Sequence, residues 1–141
     1  ALIAFVGNAK IKDDITMVVV GVHPHYKQFI ARFNDAVVFL KKRLLERSSG
    51  LLEELWRMYP DFPQLPMLAA RIYYQLQEYD LAEKHVRMQL EREPNDIKAT
   101  QLLAAIALKV GNTPRAQNLI DRLTKANADN PVTKYLTKKL Q

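Results

Sequence analysis

A pattern of small and apolar residues that recurs after 34 positions constrains the fold of this chain more than any other feature. The matched pairs are Ala70 and Ala104, Ala82 and Ala116, Val86 and Ile120, and Leu76 and Val110. A fixed period of this length is typical of arrays of helical hairpins. Two helices can approach closely only where their side chains are small. The alanine pairs therefore predict one helix crossing in each repeat.

Residues that start and stop helices agree with this period. Asp80 followed three positions later by Glu83 predicts a capping box at the start of the second helix of one hairpin. Gly111, Thr113 and Pro114 predict a helix end, an N-cap and a first-turn proline in the next hairpin. Each hairpin should therefore turn shortly before its second alanine.

The stretch ARIYYQLQEYDLAEKHVRMQLEREPND resembles the unit of the tetratricopeptide repeat family, and ATQLLAAIALKVGNTPRAQNLIDRLTKANADNP resembles it more loosely. The resemblance implies an all-α, TPR-like array of antiparallel helix hairpins over residues 23–141. Within it we expect a degenerate repeat at 29–62, repeats at 63–96 and 97–130, and a capping helix at 131–140. An unrelated pair of helical hairpins with alanine-rich contacts is the alternative.

The capping helix should turn one apolar side toward the last repeat. We expect Val132, Tyr135, Leu136 and Leu140 to face inward and Lys134, Lys138 and Lys139 to face outward. A polar outer face is what the end of a repeat array requires.

A helix is predicted over residues 24–47, ended by Ser48-Ser49-Gly50 and followed by a short helix from Leu51. Its apolar side chains are spaced as in a heptad seam. The seam residues are Tyr26, Ile30, Phe33, Val37, Leu40 and Leu44. The seam could pack on the repeats or join two copies of the chain as a homodimer, and the sequence leaves both open.

Residues 1–22 have a different character. The chain starts without methionine or a basic leader, so it reads as a piece cut from a longer protein. Residues 15–22 are rich in β-branched side chains and apolar on both faces, which predicts one buried β-strand. No other segment reads as a strand. We therefore interpret it as the remnant of a truncated domain.

The stretch GNAKIKDDITMVVVGV resembles the C-terminal end of the metal-dependent serine/threonine phosphatases of the PPM superfamily, particularly their bacterial sporulation and stress-response branch. The resemblance implies that Asp13 is a ligand of a two-metal centre, holding manganese or magnesium, in an intact phosphatase domain. One carboxylate cannot hold two such ions. We therefore expect no catalytic residue and no cofactor in this fragment alone. The alternative is a turn whose two aspartates merely precede a strand.

Arrays of this kind bind partners on the concave surface made by the first helix of each hairpin. The exposed positions there are expected to be Gln64, Met67, Arg71, Tyr74, Gln75, Lys98, Gln101, Ala105 and Lys109. Arg71, Lys98 and Lys109 would make this groove basic, so an acidic peptide or chain terminus is the predicted ligand. A groove of two or three repeats could instead be too shallow and pack only against its own protein.

Composition and charge limit the protein class, the location and the kinds of partner that the chain can have. Hydrophobic residues make up 48% and charged residues 26% of the 141 positions, as in globular proteins. There is no cysteine and no apolar run long enough to span a membrane, so we expect a cytoplasmic location and no membrane partner. The net charge of +6 is spread among acidic residues. Without an aromatic-interleaved basic tract it does not predict nucleic-acid binding.

Three hypotheses follow from the sequence. The first is a non-enzymatic protein-interaction or dimerisation module of a bacterial signalling phosphatase. The second is a part of a phosphoserine/phosphothreonine phosphatase to which Asp13 contributes a metal ligand. The third is a free-standing helical adaptor.

Overall fold

The structure is a computed structural model that describes residues 24–141. All regular elements in this part are α-helices. They are α1 (Pro24–Lys41), α2 (Leu45–Met58), α3 (Leu65–Gln75), α4 (Tyr79–Arg92), α5 (Ile97–Lys109), α6 (Thr113–Ala126) and α7 (Pro131–Leu140). The prediction of an all-α array of hairpins is confirmed. The strand predicted at 15–22 lies outside the described residues.

Helices pack in consecutive pairs, α1 with α2, α3 with α4 and α5 with α6, and α7 packs on α5 and α6. We call α1, α3, α5 and α7 the first helices and α2, α4 and α6 the second helices. The second helices each have 14 residues and begin at Leu45, Tyr79 and Thr113, which are 34 positions apart. The region expected to be a degenerate repeat therefore follows the same period as the other two.

The turn inside each hairpin has one residue with left-handed backbone geometry. These residues are Arg43 and Gln77, both at φ 64°, and Gly111 at φ 80°, again 34 positions apart. In each turn the next amide donates to a carbonyl five residues earlier, over 2.8 to 2.9 Å. This bond satisfies an otherwise free helix-end carbonyl, as in a Schellman motif. Only the third turn uses glycine, the residue that adopts this conformation at no steric cost.

The prediction of one long helix over residues 24–47 is wrong. The chain leaves the helix after Lys41, turns at Arg43, and the segment Ser48-Ser49-Gly50 lies inside α2. Ser48 is fully buried, and its Oγ donates a 2.8 Å hydrogen bond to the main-chain carbonyl of Ala36. The serine thus serves as the small residue that lets α2 approach α1, and its hydroxyl has a partner.

Each hairpin has a small, fully buried residue at the same repeat position on each of its two helices. They are Ala36 and Ser48 in the first, Ala70 and Ala82 in the second, and Ala104 and Ala116 in the third. Each member lies 34 positions from its counterpart in the next hairpin. Small buried residues thus recur in the second and third hairpins as predicted, and the pattern extends to the first hairpin, where Ser48 contacts Ala36.

Two apolar clusters meet at α3. One is centred on Phe29, Leu55 and Ile72, and the other runs through the later hairpins to Leu136 in α7. In the first cluster the Phe29 ring lies edge-on to Phe62, with centroids 4.7 Å apart. The sequential hairpins therefore share a continuous interior, as repeat arrays do.

Charged residues stand at the two outer ends of this stack, where interior repeats bury small or apolar ones. Asp35 on α1 is exposed, whereas Ala69, one period later, is fully buried. Lys138 on α7 is exposed, whereas Ala104, one period earlier, is fully buried. Burying an unpaired charge costs roughly several kcal/mol of folding free energy. Both outer surfaces are thus unsuited to packing another hairpin in the same way.

Two predicted caps differ from the structure. The residue before α4 is Glu78, which makes no side-chain capping bond, so the Asp80 capping box is wrong. The residue before α6 is Asn112, whose side chain accepts from the amide of Arg115, and Thr113 is already helical. Both N-caps therefore lie one or two positions before the residues that the sequence pattern suggests. Across residues 24–141 no helix combines the length and hydropathy needed to cross a bilayer.

Candidate functional site

The first helices line the inner side of the stack. α3 contacts α5 and α5 contacts α7, whereas no comparable packing joins α2 to α4 or α4 to α6. Helices lie closer together on the inside of a curved array than on its outside. The concave face is therefore built from α3, α5 and α7, and α1, which lies one period before α3, holds the equivalent place in the first hairpin.

The residues predicted to line this groove lie on α3 and α5. Arg71 is exposed near the middle of α3, and Tyr74 and Gln75 are half-buried at its end. Lys98 and Lys109 are exposed near the two ends of α5. The three cations thus lie on two neighbouring helices with their charged groups free to reach solvent.

Gln101 is almost fully buried, so the prediction that it is an exposed residue of the groove is wrong. Its exposure is 9%, and its Nε2 donates a 3.0 Å hydrogen bond to Oδ1 of Asn130. The same oxygen accepts from the amides of Val132 and Thr133, which caps α7. Gln101 therefore fixes the start of α7 against α5, because α7 covers this position.

Groove residues on α7 were missed in the sequence. Val132 and Tyr135, expected to face inward, are 47% and 59% exposed, whereas Leu136 is buried in the core and Leu140 packs against it, as expected. Lys139 Nζ lies 5.5 Å from the centre of the Tyr135 ring. Val132, Tyr135 and Lys139 lie 34 positions after Lys98, Gln101 and Ala105. Applying the period once more would have found them.

The predicted dimer seam occupies the corresponding positions of the first repeat. Ile30, Phe33, Val37 and Leu40 are half-buried on α1 and lie 34 positions before Gln64, Met67, Arg71 and Tyr74. Tyr26 and Leu44 are 38% and 42% exposed. Leu44 follows the turn at Arg43 and does not belong to α1, so the seam is interrupted there.

Charge is divided unequally between the two sets of helices. α3, α5 and α7 contain no acidic residue, and α1 contains only Asp35. By contrast, α2, α4 and α6 each contain at least one acidic residue. Among the described residues, the concave face is therefore lined by helices whose charged side chains are almost all cationic.

Tyr74 connects α3 to its neighbours across this face. Its ring lies edge-on to Tyr79, with centroids 5.6 Å apart. Burial raises the pKa of Tyr74, and the nearby Tyr79 and Tyr135 phenols raise it further. Tyr135 on α7 is therefore near enough to influence the ionisation of Tyr74 on α3.

No group of three or more histidine, cysteine, aspartate or glutamate side chains in the described part of the chain could hold a metal ion. Asp13, the predicted phosphatase ligand, lies outside the described residues.

Solved structures with the same fold include two peptide complexes. The first TPR of Spaghetti (RPAP3), bound to the HSP90 peptide SRMEEVD, has a TM-score of 0.70 and 15% identity, over 81% of this chain and 90% of that one. The second TPR domain of human RPAP3, in complex with the HSP70 peptide SGPTIEEVD, has a TM-score of 0.68 and 18% identity, over 82% and 97%. No curated protein matches the sequence significantly.

A family model described as the tetratricopeptide repeat matches residues 32–106. The match begins in α1, crosses both helices of the second hairpin and ends in α5. Repeats of this kind serve protein–protein interaction, and the seven helices, their period of 34 and their small crossing residues agree with the match. The chain belongs to the tetratricopeptide repeat family.

Proposed function

We propose that residues 24–141 form a non-catalytic module that binds an acidic peptide segment of another protein along the concave face. The observation that carries the proposal is the distribution of charge: α3, α5 and α7 contain no acidic residue. A surface of one sign attracts the opposite charge and excludes the same charge. A segment rich in aspartate and glutamate is the ligand that fits.

Individual groove residues suit this ligand in different ways. Arg71 offers a planar guanidinium that can hold a carboxylate through two hydrogen bonds. Lys98 and Lys109 offer compact ammonium groups near the two ends of α5. None of these three side chains has an ion-pair partner among the described residues. They are therefore free to bind carboxylates without first breaking an internal contact.

The two solved neighbours support the proposal by analogy. Their bound peptides, SRMEEVD and SGPTIEEVD, both end in glutamate, valine and aspartate. At 15% and 18% identity the likeness concerns the fold, so it suggests a place for an acidic segment and does not identify the segment.

Binding of arrayed nine-residue peptides tests the proposal. One set carries four acidic residues among glycine, serine and alanine, and a matched set carries glutamine and asparagine instead. We expect the acidic set to bind and the amide set not to bind, with affinity falling as salt rises. Arg71→Gln and Lys98→Gln should each weaken binding about tenfold, the loss of roughly one charge-assisted contact.

Lys84→Gln is the matched control, because Lys84 is exposed on α4, a second helix. It should leave binding unchanged. Equal binding of acidic and amide peptides, equal loss in the control, or no binding of any acidic peptide at about 1 mM contradicts the proposal.

A second candidate concerns residues 1–22, and it is supported by sequence resemblance alone. We propose that they complete a metal-dependent serine/threonine phosphatase domain in a longer bacterial signalling protein, where Asp13 ligates manganese or magnesium. The reading frame upstream of Ala1 should then encode further metal-binding aspartates. Phosphoserine-peptide hydrolysis by that longer protein should be lost on Asp13→Ala. An upstream frame without such residues excludes this candidate.

A further inference from the structure

We propose that the apolar row of α1, formed by Ile30, Phe33, Val37 and Leu40, is an apolar subsite of the concave groove. It would take a large aliphatic or aromatic side chain of the same segment whose carboxylates bind the cations. This inference rests on the proposed function. It also replaces the homodimer seam predicted from the heptad spacing of these residues.

The position of the row in the repeat is the first support. Val37 lies one period before Arg71, and Leu40 one period before Tyr74. Helices α1 and α3 end at Lys41 and Gln75, also one period apart, so the two helices are in the same register. The row therefore occupies the same positions on α1 that the groove residues occupy on α3.

Burial shows that the row is not simply part of the interior. Phe29 and Ala36, which face the core on α1, are fully buried, whereas all four members of the row are half-buried. Each packs partly against the first apolar cluster and leaves the rest of its side chain open. Met67 on α3, one period after Phe33, is also half-buried and packs against the second apolar cluster. In the repeat register, the apolar row of α1 is thus followed one period later by the apolar Met67 and the cationic Arg71.

Charge argues against a second copy of the chain as the occupant. A two-fold contact through the row would bring two cationic faces together, with no acidic residue on α3, α5 or α7 to offset them. The seam is also short, because the turn at Arg43 ends α1 before Leu44. A seam of less than three heptads is below the length typical of a coiled coil.

A segment with adjacent acidic and large apolar residues satisfies both parts of the surface. Its carboxylates would pair with Arg71 and Lys98, and its apolar side chain would cover the open part of Val37 and Phe33. Removing a leucine-sized side chain from water typically improves binding about tenfold or more. The groove would then select against segments that are acidic throughout.

The test compares two acidic nine-residue peptides that differ in one position, leucine or glycine, next to the acidic cluster. We expect the leucine peptide to bind the wild-type chain about tenfold more tightly. Val37→Lys should abolish this preference while leaving the affinity of the glycine peptide unchanged or higher. Val38→Lys is the matched control, because Val38 is the neighbouring apolar residue, 44% exposed and outside the row.

Light scattering at about 100 μM completes the test. We expect a monomer for the wild type and both variants, and circular dichroism should show that both variants keep their helices. Equal binding of the leucine and glycine peptides would overturn the subsite while leaving the acidic groove intact. A dimer that Val37→Lys dissociates and Val38→Lys does not would restore the seam. Failure of both peptides to bind would instead count against the proposed function.

Discussion

Oγ of Ser48 lies 2.8 Å from the main-chain oxygen of Ala36, at the point where α2 crosses α1. Both residues are fully buried. The equivalent pairs in the next two hairpins are alanines. The first hairpin therefore reaches the same close approach with a hydroxyl that is satisfied by a helix carbonyl.

Size, more than hydrogen bonding, should decide which residues are tolerated at this crossing. Ser48→Ala removes one neutral hydrogen bond and should cost about 1 kcal/mol or less. Ser48→Leu forces extra carbons into a packed contact and should destabilise by about 2 kcal/mol or more. Ala31→Leu, on the exposed side of α1, is the size control and should change stability little. Urea unfolding measures all three, and a Ser48→Leu variant as stable as wild type would contradict this view.

Two glycines should respond oppositely to alanine. Gly50 lies inside α2 with nothing within 4 Å of an added Cβ, so Gly50→Ala should stabilise by about 0.5–1 kcal/mol. Gly111 has φ +80°, so Gly111→Ala should destabilise by about 1 kcal/mol. Thermal unfolding of the two variants checks the difference. If both substitutions shift the midpoint in the same direction, the turn geometry described for Gly111 is wrong.

An ion-pair cluster between α4 and α6 should make the free energy of unfolding depend on pH in the acidic range. Glu83 Oε2 lies 2.9 Å from Arg87 and 3.0 Å from Arg115. Burial raises the pKa of Glu83, but the hydrogen bonds from the two arginines outweigh it and lower that pKa below 4.5. A lowered pKa in the folded state means that the contribution is present above the unfolded value and lost as pH falls through the folded value.

Glu83→Gln should therefore destabilise by about 0.5–1 kcal/mol at about pH 7, and the gap between variant and wild type should close at about pH 3. Urea titrations at both pH values measure it. Glu91→Gln, at an exposed position of α4, is the control and should show a smaller gap. If the stability difference between Glu83→Gln and the wild type is the same at both pH values, its origin is not electrostatic.

Tyr74 should lose its phenolic proton at a higher pH than an ordinary tyrosine. Burial and the neighbouring Tyr79 and Tyr135 raise its pKa above 10. The neutral form is favoured in the folded state, so the contribution to stability is complete below pH 10 and is lost as pH rises through the raised value. Tyr135→Phe should bring the pKa of Tyr74 part of the way back. NMR of labelled tyrosine ring carbons can follow the titration of Tyr74 in the wild type and in the variant. If the pKa of Tyr74 is the same in both, Tyr135 does not influence Tyr74.

Recurrence in the sequence predicted the hairpins well where the recurring residues are alanines. Ala82 and Ala116 are fully buried at the same place in α4 and α6, the fourth residue of each helix. The first hairpin was misread because Ser48 and Gly50 are residues that usually end helices. Its real turn is at Arg43, a residue with no sequence signal for a left-handed conformation.

The exposed side chains of the first helices follow from the sequence only where neighbouring helices do not cover them. Arg71, Lys98 and Lys109 are exposed as expected. Gln101 is covered because α7 is held over it by Asn130, a tertiary contact that no single helix pattern contains. Tertiary packing also explains why Tyr135, an apolar position of α7 by its sequence, is open to solvent.

Asp35 and Lys138 suggest how such a scaffold could be lengthened. Both are exposed at positions that interior hairpins fill with small or apolar residues. Replacing Asp35 and Lys138 with alanine would restore the residue type of the interior hairpins at these two positions, one at each end of the stack. Further hairpins could then be added at either end. In the native chain, the two charged residues keep both end surfaces hydrated.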